Sequence, residues 1–129
     1  MKKDIENLED IKFMVDTFYG EIQKDTLIGP IFNWIIQDRW PEHLEKMYRF
    51  WQTILLEDYT YSGRPFPPHA SLPVDGTHFN RWKTIFTDVV LSHFEGEKAQ
   101  EAIWRADKMA VMFLSKITYF RENNLKPLN

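Results

Sequence analysis

Four histidines and no cysteine set the range of chemistry open to this chain. Without thiols there are no disulfides, thiolate nucleophiles, iron–sulfur clusters or cysteine zinc sites. His43, His78 and His93 lie in segments with helical periodicity, whereas His69 lies in Arg64-Pro65-Phe66-Pro67-Pro68-His69-Ala70-Ser71-Leu72-Pro73. Four of the seven prolines fall in that stretch. Proline fixes φ, removes a backbone donor and pushes the residue before it toward extended backbone. No long helix can run through the stretch, and at most one short turn fits, around Pro68 to Ser71. The result is a stiff connector that presents a single imidazole.

Both flanks of the connector read as long helices. Leu8, Ile11, Val15, Phe18 and Ile22 step by three and four, which predicts a helix from about Asn7 to Asp25, capped by Asn7. Tyr19 borders its buried stripe. Asp25-Thr26-Leu27-Ile28-Gly29-Pro30 breaks it, and Pro30 to Ile36 forms a short apolar helix that opens on proline. The next helix starts near Asp38 to Pro41 and runs to about Glu57. It carries two adjacent stripes: His43, Met47, Phe50 and Ile54, then Leu44, Tyr48, Trp51 and Leu55. So wide an apolar face must be covered on more than one side. Beyond the connector, Asp75 caps a helix to about Phe94, with Phe79, Trp82, Phe86, Val89, Val90 and His93 in phase. A last helix spans Glu97 to Glu122, and residues 1–7 and 123–129 are expected to fray. No stretch alternates like a strand. The fold class is all-α, in one domain covering 1–129.

The totals narrow the function. A net charge of −3 leaves no electrostatic footprint for nucleic acid. No apolar run has transmembrane length, and the polar start is no signal peptide, so a soluble, cytoplasmic, monomeric protein is expected. Aromatic residues make up 16% of the chain, more than a small helical core needs. A large flat apolar ligand accounts for them, although a densely packed aromatic core is the plainer explanation. A lone imidazole on a rigid turn, facing aromatic helices, suits the proximal ligand of a haem. A solvated loop histidine is the commoner meaning of such a residue taken alone.

Six motifs in order, Phe18-Tyr19, Gly29-Pro30-Ile31-Phe32-Asn33, Trp40-Pro41-Glu42-His43, Phe50-Trp51, Pro68-His69-Ala70-Ser71-Leu72-Pro73 and Phe79-Asn80-Arg81-Trp82, resemble the truncated haemoglobins, and within them the third group. None of the six is specific, but their order and spacing are. The similarity runs from about Ile11 to Phe120, and the paired-glycine motifs of the first two groups are absent. It implies a globin-like, two-over-two helical sandwich around haem b. Residue by residue it implies His69 as the proximal iron ligand, with Tyr19, His43 and Trp82 as the distal polar groups. It places Phe32, Met47 and Phe50 in haem packing, and Lys46, Arg49 and Arg64 near the propionates. His78 and His93 are expected to be structural or solvated.

Haem iron takes one strong axial ligand and leaves the opposite face open. The neutral imidazole of His69 would be oriented by a hydrogen bond from its other nitrogen, and the proline-fixed backbone offers carbonyls for it. Distal donors stabilise a polarised diatomic ligand. Three functional classes follow: a protein that binds dioxygen and other diatomic gases, an enzyme that oxidises nitric oxide with dioxygen or reacts with peroxide, and a helical sensor or interaction module without iron. The last has no need for His69 opposite three polar side chains. The 129 residues hold no reductase domain, so turnover would draw on an external reductase.

Overall fold

The structure is a computed structural model and describes residues 2–61 and 73–123. Five helices are present among them: α1 Leu8–Lys24, α2 Gly29–Ile36, α3 Trp40–Leu56, α4 Gly76–His93 and α5 Glu97–Glu122. The turn expected around Pro68 to Ser71 and the tail beyond Asn123 lie outside the described residues.

The helix ends follow from local chemistry. The Asn7 side chain accepts the Asp10 N–H at the start of α1, as its N-cap position predicts. Pro30 occupies the first turn of α2 and Pro41 that of α3, where a missing donor costs nothing. Asp75 caps α4 and accepts the Thr77 N–H, while His78 closes a capping box back onto the Asp75 backbone. His78 is therefore structural, and His93 is exposed with its ring edge-on to Phe13 at 4.8 Å. Gly29 is fixed by contact rather than by φ. A Cβ there would stand 2.8 Å from the Ile22 carbonyl oxygen and 2.9 Å from that of Gln23. Only glycine lets α2 start directly against the end of α1.

Two pairs of helices make the body. α1 packs on α3, α4 packs on α5, and the pairs meet where α1 crosses α4 and α3 touches α5. This is the expected two-over-two sandwich. Ile11, Met14, Val15, Phe18 and Ile22 of α1 meet Leu55, Trp51 and Phe86 in one core. Ala99, Ala102, Ala106 and Ala110 form a small-residue stripe on α5, which allows close approach to α4. The periodicity of large apolar residues does not show the first two of these alanines.

The N-terminal segment is not frayed, contrary to expectation. Ile5 is buried with 1% exposure, and the Lys3 carbonyl accepts the Glu95 N–H at 2.9 Å. Asp4 caps α5 from the other end of the chain, accepting the N–H groups of Lys98 at 3.0 Å and Ala99 at 2.9 Å. α5 needs this because its own N-cap is Gly96, which has no side chain to offer. Gly96 holds φ at 129°, and a Cβ there would lie 2.6 Å from Asp4 Cγ, so glycine and aspartate fit as a pair. Composition could not show a cap supplied by a residue this distant in sequence. Asp4→Ala should lower unfolding stability by about 1 kcal/mol, the ordinary value of a lost N-cap. Urea denaturation measures it, and a change within error would remove the capping role.

Candidate functional site

Tyr19 is the centre of the expected distal cluster. It lies on α1 next to Phe18 and is 6% exposed. Three rings surround it edge-on: His43 at 4.9 Å, Trp40 at 5.8 Å and Phe32 at 6.2 Å between centroids. These come from two helices. α2 brings Phe32, and the first turn of α3 brings Trp40 and His43, which are three residues apart and so share a face. Trp40 and His43 are themselves edge-on at 5.7 Å.

Burial raises the Tyr19 hydroxyl well above the ordinary tyrosine range. It therefore stays protonated and keeps its donor at any physiological pH. The Nε2 atom of His43 is buried, although the residue as a whole is half-buried. Trp82, the third expected donor, reaches Tyr19 through Phe18, whose ring lies 5.5 Å from Trp82 and 4.9 Å from Tyr19. The three polar residues thus converge on one region, but only Tyr19 and His43 touch.

Phe32, Trp40, Met47 and Trp82 pack against the core yet remain half-buried. Four large side chains in this region thus keep part of their surface uncovered. Phe50, the other expected packing residue, is 8% exposed and lies within the core, edge-on to Trp51 and Tyr61. Lys46 is exposed. Arg49 is engaged within its own helix, donating to Glu45 at 2.8 Å and to the Gln52 side chain at 3.1 Å. His69 and Arg64 lie outside the described residues.

Two contributors escaped the sequence reading as site residues. Trp40 entered only as part of a motif, yet it touches both Tyr19 and His43. Its i, i+3 spacing to His43 was the available signal. Asp25 is the second. Its side chain has 4% of its surface exposed and accepts the Arg81 guanidinium at 2.6 Å, the Ile28 N–H at 3.0 Å and the Leu27 N–H at 3.1 Å. This ties the α1–α2 corner to α4 one residue before Trp82. Nothing local in the sequence pairs residues 25 and 81.

Burial alone would raise the Asp25 carboxyl, but the backbone donors and Arg81 outweigh it and hold the group below the ordinary carboxylate range. A depressed folded-state value adds stability above the unfolded value, near 4, which is lost as pH falls through the folded one. Acid unfolding should therefore steepen below about pH 4 in the parent. Asp25→Asn should be less stable at neutral pH and flatter on that limb. An unchanged acid profile would remove Asp25 from the account.

A scan against models of known protein families matches none to this chain. The chain is 32% identical over 117 residues to a group 3 truncated haemoglobin of Campylobacter jejuni, covering 88% of this chain and 92% of that protein. The crystal structure of the group III truncated haemoglobin from Campylobacter jejuni superposes with a TM-score of 0.81 at 30% identity, covering 91% of this chain and 95% of that one. The helical sandwich and this likeness agree, and the chain belongs to the group III truncated haemoglobins.

Proposed function

We propose that this chain holds haem b through His69 and binds dioxygen and other diatomic ligands on the face lined by Tyr19, His43 and Trp82. The observation that carries this is the ring cluster around Tyr19. There a protonated hydroxyl and a buried imidazole nitrogen stand beside Phe32, Trp40 and Met47, which the protein itself leaves half-covered. A flat apolar body with one polar axial ligand fits that donor set. Bound haem supplies an iron with one open axial position.

The remaining steps belong to the chain. Tyr19 would donate a hydrogen bond from its hydroxyl to a bound gas, and burial keeps that hydroxyl protonated. Trp82 can donate only, through its indole N–H, and His43 can donate or accept. Phe32, Met47 and Trp40 exclude water, which strengthens each of these hydrogen bonds. Lys46 is the exposed cation on α3 that can reach a propionate. Arg49 is less suited because Glu45 and Gln52 already hold it.

A pocket with two or three donors retains its ligand, which suits storage or scavenging better than rapid delivery. Retention also suits chemistry on the bound gas, namely nitric oxide oxidation or reaction with peroxide with electrons from an external reductase. No described helix is long and apolar enough to cross a membrane. A monomer working in the cytoplasm completes the proposal. The purified protein should show a Soret band, and its ferrous form should bind carbon monoxide as a five-coordinate haem does. A protein that neither purifies with haem nor takes it up on titration would refute the reading.

A further inference from the structure

Trp82 is the first ring of a stack that leads away from the distal face. Its indole lies parallel to Phe86, with centroids 5.8 Å apart and planes 8° apart. Phe86 is also nearly parallel to Trp51, 5.1 Å away at 17°. Both indoles therefore stack on the same phenyl ring. Trp51 then meets Phe50 at 5.5 Å, and Phe50 meets Tyr61 at 5.3 Å. Trp51 and Phe86 are 4% and 1% exposed, whereas Tyr61 is half-buried at the rim. Its backbone is anchored there by the Tyr61 N–H, which donates to the Thr53 hydroxyl at 3.0 Å.

Core packing alone does not call for this composition. Aliphatic side chains would fill the same volume, and edge-to-face contacts are as favourable as offset stacks between rings. What the arrangement adds is a pair of readily oxidised indoles stacked on one phenyl ring, followed by two edge-on ring contacts that end at a half-buried phenol. Phe86 and Phe50 are too hard to oxidise to hold a charge and act as bridges.

We infer that Trp82, Phe86, Trp51, Phe50 and Tyr61 form a path that carries oxidising equivalents from the distal pocket to the surface at Tyr61. The inference rests on the haem-binding reading above. The oxidant is hydrogen peroxide, which takes up two electrons and two protons and leaves as two waters. When only one of those electrons comes from the haem, the other is drawn from Trp82. The electron hole passes to Trp51 and then to Tyr61, which loses one electron and releases its hydroxyl proton to water. Two equivalents of an external one-electron donor of the phenol or ascorbate class close the cycle: one, with a proton, restores the tyrosine, the other replaces the electron taken from the haem, and the protons for the two waters come from donor and solvent. The path thus serves a reductant that need not enter the pocket, and it spares Tyr19 and Trp82 from lasting oxidation.

The test uses the haem-loaded protein, mixed with an equimolar amount of hydrogen peroxide. A tyrosyl radical is read by freeze-quench electron paramagnetic resonance, and a nitroso spin trap is located by peptide mass spectrometry. The adduct is expected on Tyr61. It should be lost in Tyr61→Phe and fall strongly in Trp51→Phe, which keeps a ring in the core but removes the intermediate hopping site. In both variants the Soret band and the rate of peroxide loss should match the parent. Adduct on the exposed Tyr59, Trp34 or Trp104 but not on Tyr61 would overturn the path, as would equal Tyr61 labelling in Trp51→Phe. Absence of any protein radical in a protein with a full Soret band would also overturn it. Absence of the Soret band itself would instead refute the haem reading beneath it.

Discussion

His69→Ala protein is expected to purify without haem, or with haem so weakly held that gel filtration removes it, while its far-ultraviolet circular dichroism stays helical. The expectation rests on the elimination of other ligands as much as on the proline-rich turn. Of the four histidines, His78 is committed to the Asp75 capping box and His93 stands exposed against Phe13. His43 is the remaining competitor, and it is packed among Tyr19 and Trp40. The loss of an axial bond to iron should remove the five-coordinate ferrous spectrum altogether. Imidazole added to the His69→Ala protein should restore part of it, which a merely misfolded variant would not allow. If His69→Ala kept full haem content and an unchanged spectrum while His43→Ala lost haem, the proximal and distal assignments would have to be exchanged.

The helices were legible in the sequence because each is encoded locally. Asn7, Pro30, Pro41 and Asp75 mark starts whose side-chain chemistry works within a few residues. The apolar periods of α1 and α3 show which faces are covered. What could not be read were pairings between distant residues. Asp4 stabilises α5 although ninety-odd positions separate them, and Asp25 holds Arg81 across the corner. Ile5 reads as an isolated apolar residue in a polar start, yet it is part of the core. For the candidate site, the resemblance grouped Tyr19, His43 and Trp82, but it did not show which of them touch. Only the folded chain separates Tyr19 and His43, which touch, from Trp82, which stands behind Phe18. Trp40 stayed hidden because, in a chain with so many aromatic residues, its i, i+3 spacing to His43 does not stand out.

That grouping bears on the second large effect, the rate at which dioxygen escapes. Tyr19→Phe is expected to raise it most. A hydrogen bond to a charged or strongly polarised partner is worth about 1.5–3 kcal/mol. At about 1.4 kcal/mol per factor of ten, removing it should speed dissociation by roughly 10- to 150-fold. Tyr19 is packed on four sides by Phe18, Phe32, Trp40 and His43, so its hydroxyl has little freedom left to lose on binding. Trp82 is held by Phe18 and by its stack on Phe86, and Trp82→Phe should have the next largest effect. His43 lies in the first turn of α3, beside Pro41, where a rotation of its side chain could open the pocket. His43→Ala should therefore change the entry rate more than the escape rate. Single effects are not expected to add, because Tyr19 and His43 are in contact and all three residues are proposed to face one ligand. The check is stopped-flow displacement of dioxygen by carbon monoxide in the three single variants and in the Tyr19→Phe/His43→Ala double variant. If His43→Ala accelerated escape more than Tyr19→Phe and Trp82→Phe, which in turn left it within about twofold of the parent, the imidazole and not the phenol would be the principal donor.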